Sequence, residues 1–465
     1  MPVIDQVLTV AAMRAAEEAL IAAGADVDAL MQIAGRGAAD WVWRVGGHHA
    51  VTVLCGPGNN GGDGYVIAEA IRERGGRVQV VAATEPTTDA GRKAHALYQG
   101  AVLGPDADIH GEVLVDCLFG SGLVRPLTAA DFALLARLAA GHARRIAIDL
   151  PSGVQSDSGT VLNPGLPDYQ LTVALGAWKQ AHFLMPACAA MGELRLVGIG
   201  CGAVPGATGV IARPHLGAPA ANAHKYRRGL LAVVGGAMPG AAELACMAAQ
   251  GAGAGYVRLL AQHGVHANPD LVIDARPLPE AAGDARIAAL LVGPGLGRDD
   301  AGRWRLEAAL AGAERIVLDA DALILLRHGD LAGRGVQVIA TPHEGELAVL
   351  ERTFGLAADG TKLDRARALA AAAGMVIVAK GPDNVIAAPD GRAAFARRAP
   401  SWLSTAGTGD VLAGIIASRL ACGIAPFAAA AEGLWLHGAA ARLAGPAFSA
   451  AELAATVRKA YAACL

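Results

Sequence analysis

Apolar residues recur along the chain in two alternating periods, and that alternation predicts most of its elements. Over residues 10–45 the spacing is helical, with Ala12, Leu20, Leu30, Ile33 and Val42 as expected core positions. Ala50–Cys55 then reads as a strand, Gly56–Gly64 as a loop and Tyr65–Arg74 as a helix. Short apolar runs follow at Arg77–Ala83, Val113–Leu118, Ile146–Leu150 and Leu171–Leu175, with helical or loop segments between them. Periodicity lapses over residues 198–229, a stretch rich in Gly, Pro and Ala. A second series then begins. Strands are expected within 230–236, 256–261, 271–273, 289–297, 315–323, 336–346 and 375–391, with a helix over 240–251. Last comes a small-residue loop, Ser404–Gly409, running into a helix spaced by Val411, Leu412, Ile415, Ile416 and Leu420. Strands alternating with helices imply parallel sheets whose ligand sites lie at the strands' carboxyl ends. The expected class is α/β in two domains, 1–215 and 222–465.

Composition narrows the function classes. A chain of 465 residues is too long for one ordinary domain, and 54% hydrophobic content is ample for two cores. A formal charge of −3, without a basic tract, argues against nucleic acid or an anionic membrane as partner. Long uncharged runs are interrupted by Gly, Pro or Asn, so no membrane span is expected. Residues 1–20 carry Asp5 and lack a basic region followed by an apolar one, so no secretory signal is expected. Seven scattered cysteines, none in a C-x-x-C, read as reduced thiols of a cytoplasmic protein without structural zinc.

Candidate chemistry falls at strand ends. The loop Gly56–Gly64 contains G-x-G-x-x-G (Gly56, Gly58, Gly61), a weak dinucleotide signal, with Glu85 near the end of the next strand. The Asp63 carboxylate would lie near a pyrophosphate without a counter-charge, which argues against the usual Rossmann grip and against a dehydrogenase. The paired amides of Asn59 and Asn60 suit an amide-bearing or hydroxyl-bearing ligand, or a cation. Asp116 and Asp149 each end a strand and precede a turn, and Lys179 follows another strand.

These residues carry a resemblance. GNNGGDG (58–64), DCLFGSGL (116–123), IDLPSG (148–153) and ALGAWK (174–179) are similar to the NAD(P)H-hydrate epimerase family of the YjeF N-terminal type, over residues 10–205. The resemblance implies a Rossmann-like three-layer α/β/α domain. It implies that Asn59, Asn60, Gly61, Gly62 and Asp63, with Gly120, Ser121, Gly122, Leu123, Val124, Arg125 and Pro126, bind the damaged nucleotide. It further implies that Asn60, Asp116 and Ser152 hold a potassium ion, and that Asp149 and Lys179 flank the reacting centre. In a hydrated nicotinamide ring, loss of the C6 hydroxyl gives an iminium, and readdition on the other face inverts the centre. That needs one proton given and one taken, and Asp149 could serve both ends.

The second half lacks a Walker A sequence. Gly293–Gly297 lets backbone approach a ligand, Asp319 and Asp321 follow a buried strand, and His343 sits among acids. Lys380-Gly381 offers charge beside flexible backbone. Ser404–Gly409 should leave helix-start N–H groups free for an anion, with Asp410 in the first turn. Together GPGLG (293–297), DADAL (319–323), TPHEGE (341–346), KGPDN (380–384) and TAGTGD (405–410) resemble the ADP- or ATP-dependent NAD(P)H-hydrate dehydratase family, over residues 222–465. That resemblance implies a ribokinase-like three-layer fold. It implies that Ala241, Gly295, His343 and Asp410 contact the hydrate, while Lys380, Gly381, Pro382, Asp383, Asn384 and Gly409 hold the nucleotide. Departures are Asn384, where the family has Thr, and Ile324, where it has Asn.

The implied activity is repair of the hydrates NADHX and NADPHX, with K⁺ in the first domain and Mg²⁺ and ADP (or ATP) in the second. Asp410 would take the hydroxyl proton and the amides at 407–411 would steady the transferred phosphoryl group. The epimerase-first order resembles that of bacterial members of the family, a resemblance that implies ADP. A homo-oligomer acting on small molecules is expected. The rival is a ribokinase-like small-molecule kinase fused to a nucleotide-binding domain, which would leave a stable phosphoester; a non-catalytic scaffold would bind without turnover.

Overall fold

The computed structural model describes residues 4–262 and 269–465. The chain divides into two units, Met1–Gly209 and Val210–Leu465. Both are α/β.

In the first unit seven parallel strands run in the order Val102–Leu103, Val78–Ala82, Val51–Cys55, Gly111–Cys117, His142–Ile148, Leu171–Leu175 and Glu193–Val197. Alternate residues of one strand feed two cores. Val51, Val53 and Cys55 pack with Ala34, Ala38 and Val42 of helix Val27–Gly46 and with Ile67 and Ile71 of helix Asn59–Glu73. Leu54 and Leu114 face the other way, onto Leu134, Leu135 and Leu138 of helix Ala129–Ala140. That period of two yields the three layers. The strands Val102–Leu103 and Glu193–Val197 were not legible as strands, the first being a two-residue edge.

Two expectations need correction. Ile33 is 38% exposed, because the inward stripe of its helix runs through Met31, Ala34, Ala38 and Val42; Val42 is fully buried, while Ala12, Leu20 and Leu30 are partly buried against that core. The segment Gly56–Gly64 is not a loop throughout: the helix starts at Asn59, six residues before Tyr65. Its glycines are there for close approach. A Cβ on Gly61 would lie 1.9 Å from the Gly56 carbonyl oxygen, and one on Gly64 would lie 2.7 Å from Cys55 Sγ. Packing overrides the poor helix propensity of glycine.

In the second unit the parallel strands Val376–Ala379, Gln337–Ala340, Arg315–Leu318, Ala289–Val292, Leu230–Val234, Tyr256–Leu260 and Val272–Asp274 lie side by side in that order. The expected single run at 375–391 is an antiparallel hairpin, Val376–Ala379 with Val385–Ala387, extended by Ala393–Phe395. The hairpin reverses at the KGPDN turn, so Lys380–Asn384 sits at the sheet's carboxyl rim. Helix Thr408–Ala421 is buried along nearly its whole length, against helix Pro239–Gly251 and strands Ala289–Val292 and Arg315–Leu318. Close approach again needs glycine. A Cβ on Gly414 would meet the Ala245 carbonyl oxygen at 2.1 Å.

Among the described residues no helix is long and apolar enough to cross a membrane, and none of the cysteines is in a disulfide.

Gly414→Ala therefore forces the two helices apart. The expected loss is about 2–3 kcal/mol of stability, read as a lower urea midpoint; an unchanged midpoint would show that the contact is not tight.

Candidate functional site

Each unit carries its own cluster. In the first, the carboxyl ends of the strands open into a cleft of about 760 Å³, lined by Asn59, Asn60, Asp63, Gly120–Pro126, Asp149, Leu175 and Lys179. Arg14, Glu17 and Met31, which sequence reasoning missed, also line it. Gly61, Gly62, Asp116 and Ser152 do not line it. Gly61 and Gly62 are packed against Gly56 and Met31. Asp116 and Ser152 are buried.

Asp149 is the strained residue of this site, with φ +64°, a region costly for any residue with a Cβ. Its N–H donates to Val173 O at 2.7 Å. The Ser121 N–H donates to Asp149 Oδ2 at 2.9 Å, and Lys179 Nζ pairs with Oδ1. Lys179 also donates to Leu175 O at 2.7 Å. His182 locks the pair from behind: its Nε2–H donates to Asp149 O at 2.7 Å, and its Nδ1 accepts the Lys179 N–H at 2.9 Å. That pattern requires neutral imidazole, and burial, with Lys179 adding, lowers the His182 pKa to about 4. Burial works against the Asp149 carboxylate, but Lys179 and the other donors outweigh it and hold its pKa below the usual value. Asp63 and Glu17 go the other way: burial raises both, and the charge of Asp149 adds to each. One ammonium thus faces three carboxyls.

Beneath the cleft, Asp116 is fully engaged. Oδ1 accepts from Leu118 N at 3.1 Å and Ser152 Oγ at 2.7 Å, and Oδ2 accepts from Ser152 N at 3.0 Å and the Tyr169 hydroxyl at 2.5 Å. Asn60 is the opposite case: both polar atoms of its side chain are buried without a hydrogen-bond partner among the described residues. A buried, unsatisfied amide is costly and marks a place for a polar ligand or a cation.

The second unit builds its cluster on five strand ends and one helix start. Gly293 (φ +129°) follows strand Ala289–Val292, and a Cβ there would strike Asp319 O at 1.7 Å. At Gly295 (φ +61°) a Cβ would meet Met238 O at 2.3 Å and come 3.1 Å from Ala241 Cβ, so these two expected hydrate contacts are neighbours. Asp319 Oδ1 accepts from Thr341 Oγ1 and from Lys380 Nζ, each at 2.6 Å. Asp321 opens its short helix and braces the glycine loop, accepting from Gly297 N at 3.0 Å and Arg298 Nε at 2.7 Å. His343 caps helix Glu344–Thr353, its Nδ1 accepting the Glu346 N–H at 3.1 Å while Glu346 accepts the His343 N–H at 2.8 Å. Its ring is 61% exposed, with Nε2 3.3 Å from Glu346 Oε1. In the KGPDN turn Asn384 Oδ1 accepts from Gly381 N at 3.2 Å, and Asp383 pairs with Lys362.

Helix Thr408–Ala421 begins after Gly407, which is left-handed and supplies no side-chain cap. The first-turn N–H groups of Gly409 and Asp410 point out of the helix start, ready for an anion. His437, also missed from sequence, fixes this turn by donating from Nε2 to Thr408 O at 3.0 Å; burial lowers its pKa to about 4, so it is neutral. Burial and the neighbouring Asp319 raise the Asp410 pKa to about 7, against the pull of Lys380. Burial disfavours the Lys380 ammonium, yet Asp319, Glu346 and Asp410 outweigh it and raise its pKa. Among the described residues no group of three or more His, Cys, Asp or Glu is arranged to hold a metal ion.

The raised Asp410 pKa has a stability consequence. Between the unfolded carboxyl pKa and about 7, the unfolded chain ionises this group while the folded chain keeps it protonated. Stability is therefore lost as pH rises through that window. Asp410→Asn should raise Tm by a few degrees at pH 8 and by much less at pH 5; an equal change at both values would contradict the shift.

Residues 231–461 match the family described as NAD(P)H-hydrate dehydratase, and residues 27–181 the family described as YjeF-related protein N-terminus. The bifunctional NAD(P)H-hydrate repair enzyme of Salinibacter ruber is 34% identical, over 97% of this chain and 94% of that one. Its counterpart in Mycobacterium tuberculosis is 35% identical over 90% of each chain. The solved ADP/ATP-dependent NAD(P)H-hydrate dehydratase from Bacillus subtilis, co-crystallised with ATP/Mg²⁺, is 29% identical over 54% of this chain and 95% of that one, with a TM-score of 0.47. With two near-full-length relatives above 30% identity, the chain belongs to the family of bifunctional NAD(P)H-hydrate repair enzymes.

Proposed function

We propose that residues 1–215 epimerise the R and S hydrates of NADH and NADPH, and that residues 222–465 dehydrate the S form at the expense of ADP, giving AMP and phosphate. The carrying observation is Asp410, a carboxyl with a pKa near 7 in the first turn of an uncapped helix. A group so placed can take a hydroxyl proton while the N–H groups beside it hold the incoming phosphoryl oxygens.

In the dehydratase reading the C6 hydroxyl oxygen of the hydrate forms a bond to the terminal phosphorus of ADP, and the bond from that phosphorus to the bridging oxygen of AMP breaks. Asp410 accepts the hydroxyl proton. The C6–O bond then breaks with phosphate as leaving group, pushed by the ring nitrogen, and loss of a C5 proton restores the double bond. Ala241, Gly295 and His343 form the hydrate side of the site, and Lys380–Asn384 with Gly409 the nucleotide side. Lys380 already answers Asp319 at 2.6 Å and lies 4.0 Å from Glu346, so it is placed to share its charge with a phosphate. Asp319 and Glu346, the acids beside Lys380, would help to hold Mg²⁺ with the nucleotide, where it would supply charge neutralisation.

In the epimerase reading Asp149 stabilises the iminium and handles the proton at the C6 oxygen, while Lys179 and His182 fix its orientation. The orphaned Asn60 amide fits a monovalent cation. Asp116 and Ser152 could join it by exchanging one of their mutual hydrogen bonds. Such a cation would supply a fixed positive charge beneath the substrate. Cytoplasmic location, a homo-oligomer, and the lack of a nucleic-acid or membrane partner belong to this same reading.

The deciding assay supplies a mixture of hydrate epimers with Mg²⁺, K⁺ and ADP or ATP, and follows the return of reduced-nicotinamide absorbance. Full conversion with release of free phosphate is expected; a stable phosphoester would mean a kinase, and binding without turnover a scaffold. Asp149→Asn should stop the reaction once the S epimer is spent. Asp410→Asn should cut kcat by roughly 10²–10⁴-fold. Because the base must be ionised, wild-type kcat/KM for the S hydrate should fall as pH drops below about 7; a flat profile from pH 5 to 8 would remove Asp410 as the base.

A further inference from the structure

The substrate of the dehydratase reading is a dinucleotide, and only its nicotinamide ring meets Asp410. The rest has to lie along the carboxyl rim of the sheet. On one side of Gly295 the rim leads to the turn Lys380–Asn384, already given to the nucleotide. On the other side lies a pocket of about 280 Å³, at the ends of strands Leu230–Val234 and Tyr256–Leu260. Strand Tyr256–Leu260 is two places from the strand leading to Gly295, about 10 Å away at the usual strand spacing. That is within the reach of the second half of a dinucleotide.

The pocket adjoins the hydrate site directly. Its floor is Gly235 and Gly236, and a Cβ on Gly236 would come 2.4 Å from Gly295 O. Its walls are partly apolar, from Leu260 and Leu278, and partly cationic. Arg276 is already answered, with Nε 2.9 Å and Nη2 2.6 Å from the two oxygens of Asp274. Arg305 is different. It donates to Leu296 O at 3.3 Å and pairs with no acid among the described residues. Its neighbour Trp304 is 50% exposed, and among the described residues no ring or cation stacks on it. An open indole beside an unanswered guanidinium suits a purine that carries phosphate.

We propose that this pocket receives the adenosine half of the hydrate, with Trp304 against the purine and Arg305 on a phosphate of that half. The inference rests on the dehydratase reading for the substrate, and on the cavity for the place. The phosphate is either the 2′-phosphate of NADPHX or the pyrophosphate common to both hydrates.

The test compares Arg305→Ala, Trp304→Ala and Trp304→Phe with the wild type, using NADPHX, NADHX and hydrated nicotinamide mononucleotide, which lacks the adenosine half. Arg305→Ala should raise KM about tenfold with kcat and the KM for ADP unchanged. A rise confined to NADPHX assigns Arg305 to the 2′-phosphate; an equal rise for both dinucleotides assigns it to the pyrophosphate. Trp304→Ala should raise KM for both, and Trp304→Phe should restore most of the loss. None of the variants should alter turnover of the mononucleotide. Unchanged KM values in Arg305→Ala and Trp304→Ala, or an equal rise with the mononucleotide, would overturn the proposal. If the wild type itself gives no turnover, the dehydratase reading fails. The pocket is then read by calorimetric binding of adenosine 2′,5′-bisphosphate with ADP saturating: weaker binding in Arg305→Ala supports the pocket, and unchanged binding removes it.

Discussion

In each unit one ammonium group faces more carboxyls than it can neutralise, and its choice of partner decides which acid rests charged and which holds its proton. Lys380 is claimed by Asp319 at 2.6 Å, so Asp410, further from it and close to other negative charge, is left holding its proton up to about pH 7. Lys179 is claimed by Asp149, and Asp63 and Glu17 are left with raised pKa values. Asp319 and Asp149, each beside its ammonium, rest as carboxylates, whereas Asp410 can exchange a proton near neutral pH.

The scaffold explains why the shortage persists. Asp319 and Lys380 follow two parallel strands, their N–H groups donating to Val292 O and Pro342 O, and Asp410 lies in the first turn of a buried helix. Asp149 is held at positive φ by the Val173 carbonyl on one side and His182 on the other. Glycine allows these parts to meet. Without it at positions 61, 293 and 414, a Cβ would occupy the place of a main-chain oxygen.

Much of this was legible in the sequence, because parallel strands buried on both faces are short apolar runs and their rim loops gather Gly and Asp. The pairing of Asp319 with Lys380 was not, since the two residues are 61 apart and meet only through strand order. Arg14 and Glu17 were missed because they sit on a helix that reads as plain amphipathic packing. His182 and His437 carry no motif; each acts through a backbone carbonyl, a role that spacing does not signal. The early start of helix Asn59–Glu73 was hidden by its glycines, whose low propensity is offset by contacts that only the fold reveals.

The most direct test of the charge shortage is a ¹³C NMR titration of the Asp410 carboxyl in the nucleotide-free protein. A midpoint near 7, falling when Asp319 is replaced by Asn, is the predicted result. A midpoint in the usual carboxylate range, insensitive to Asp319, would contradict the account.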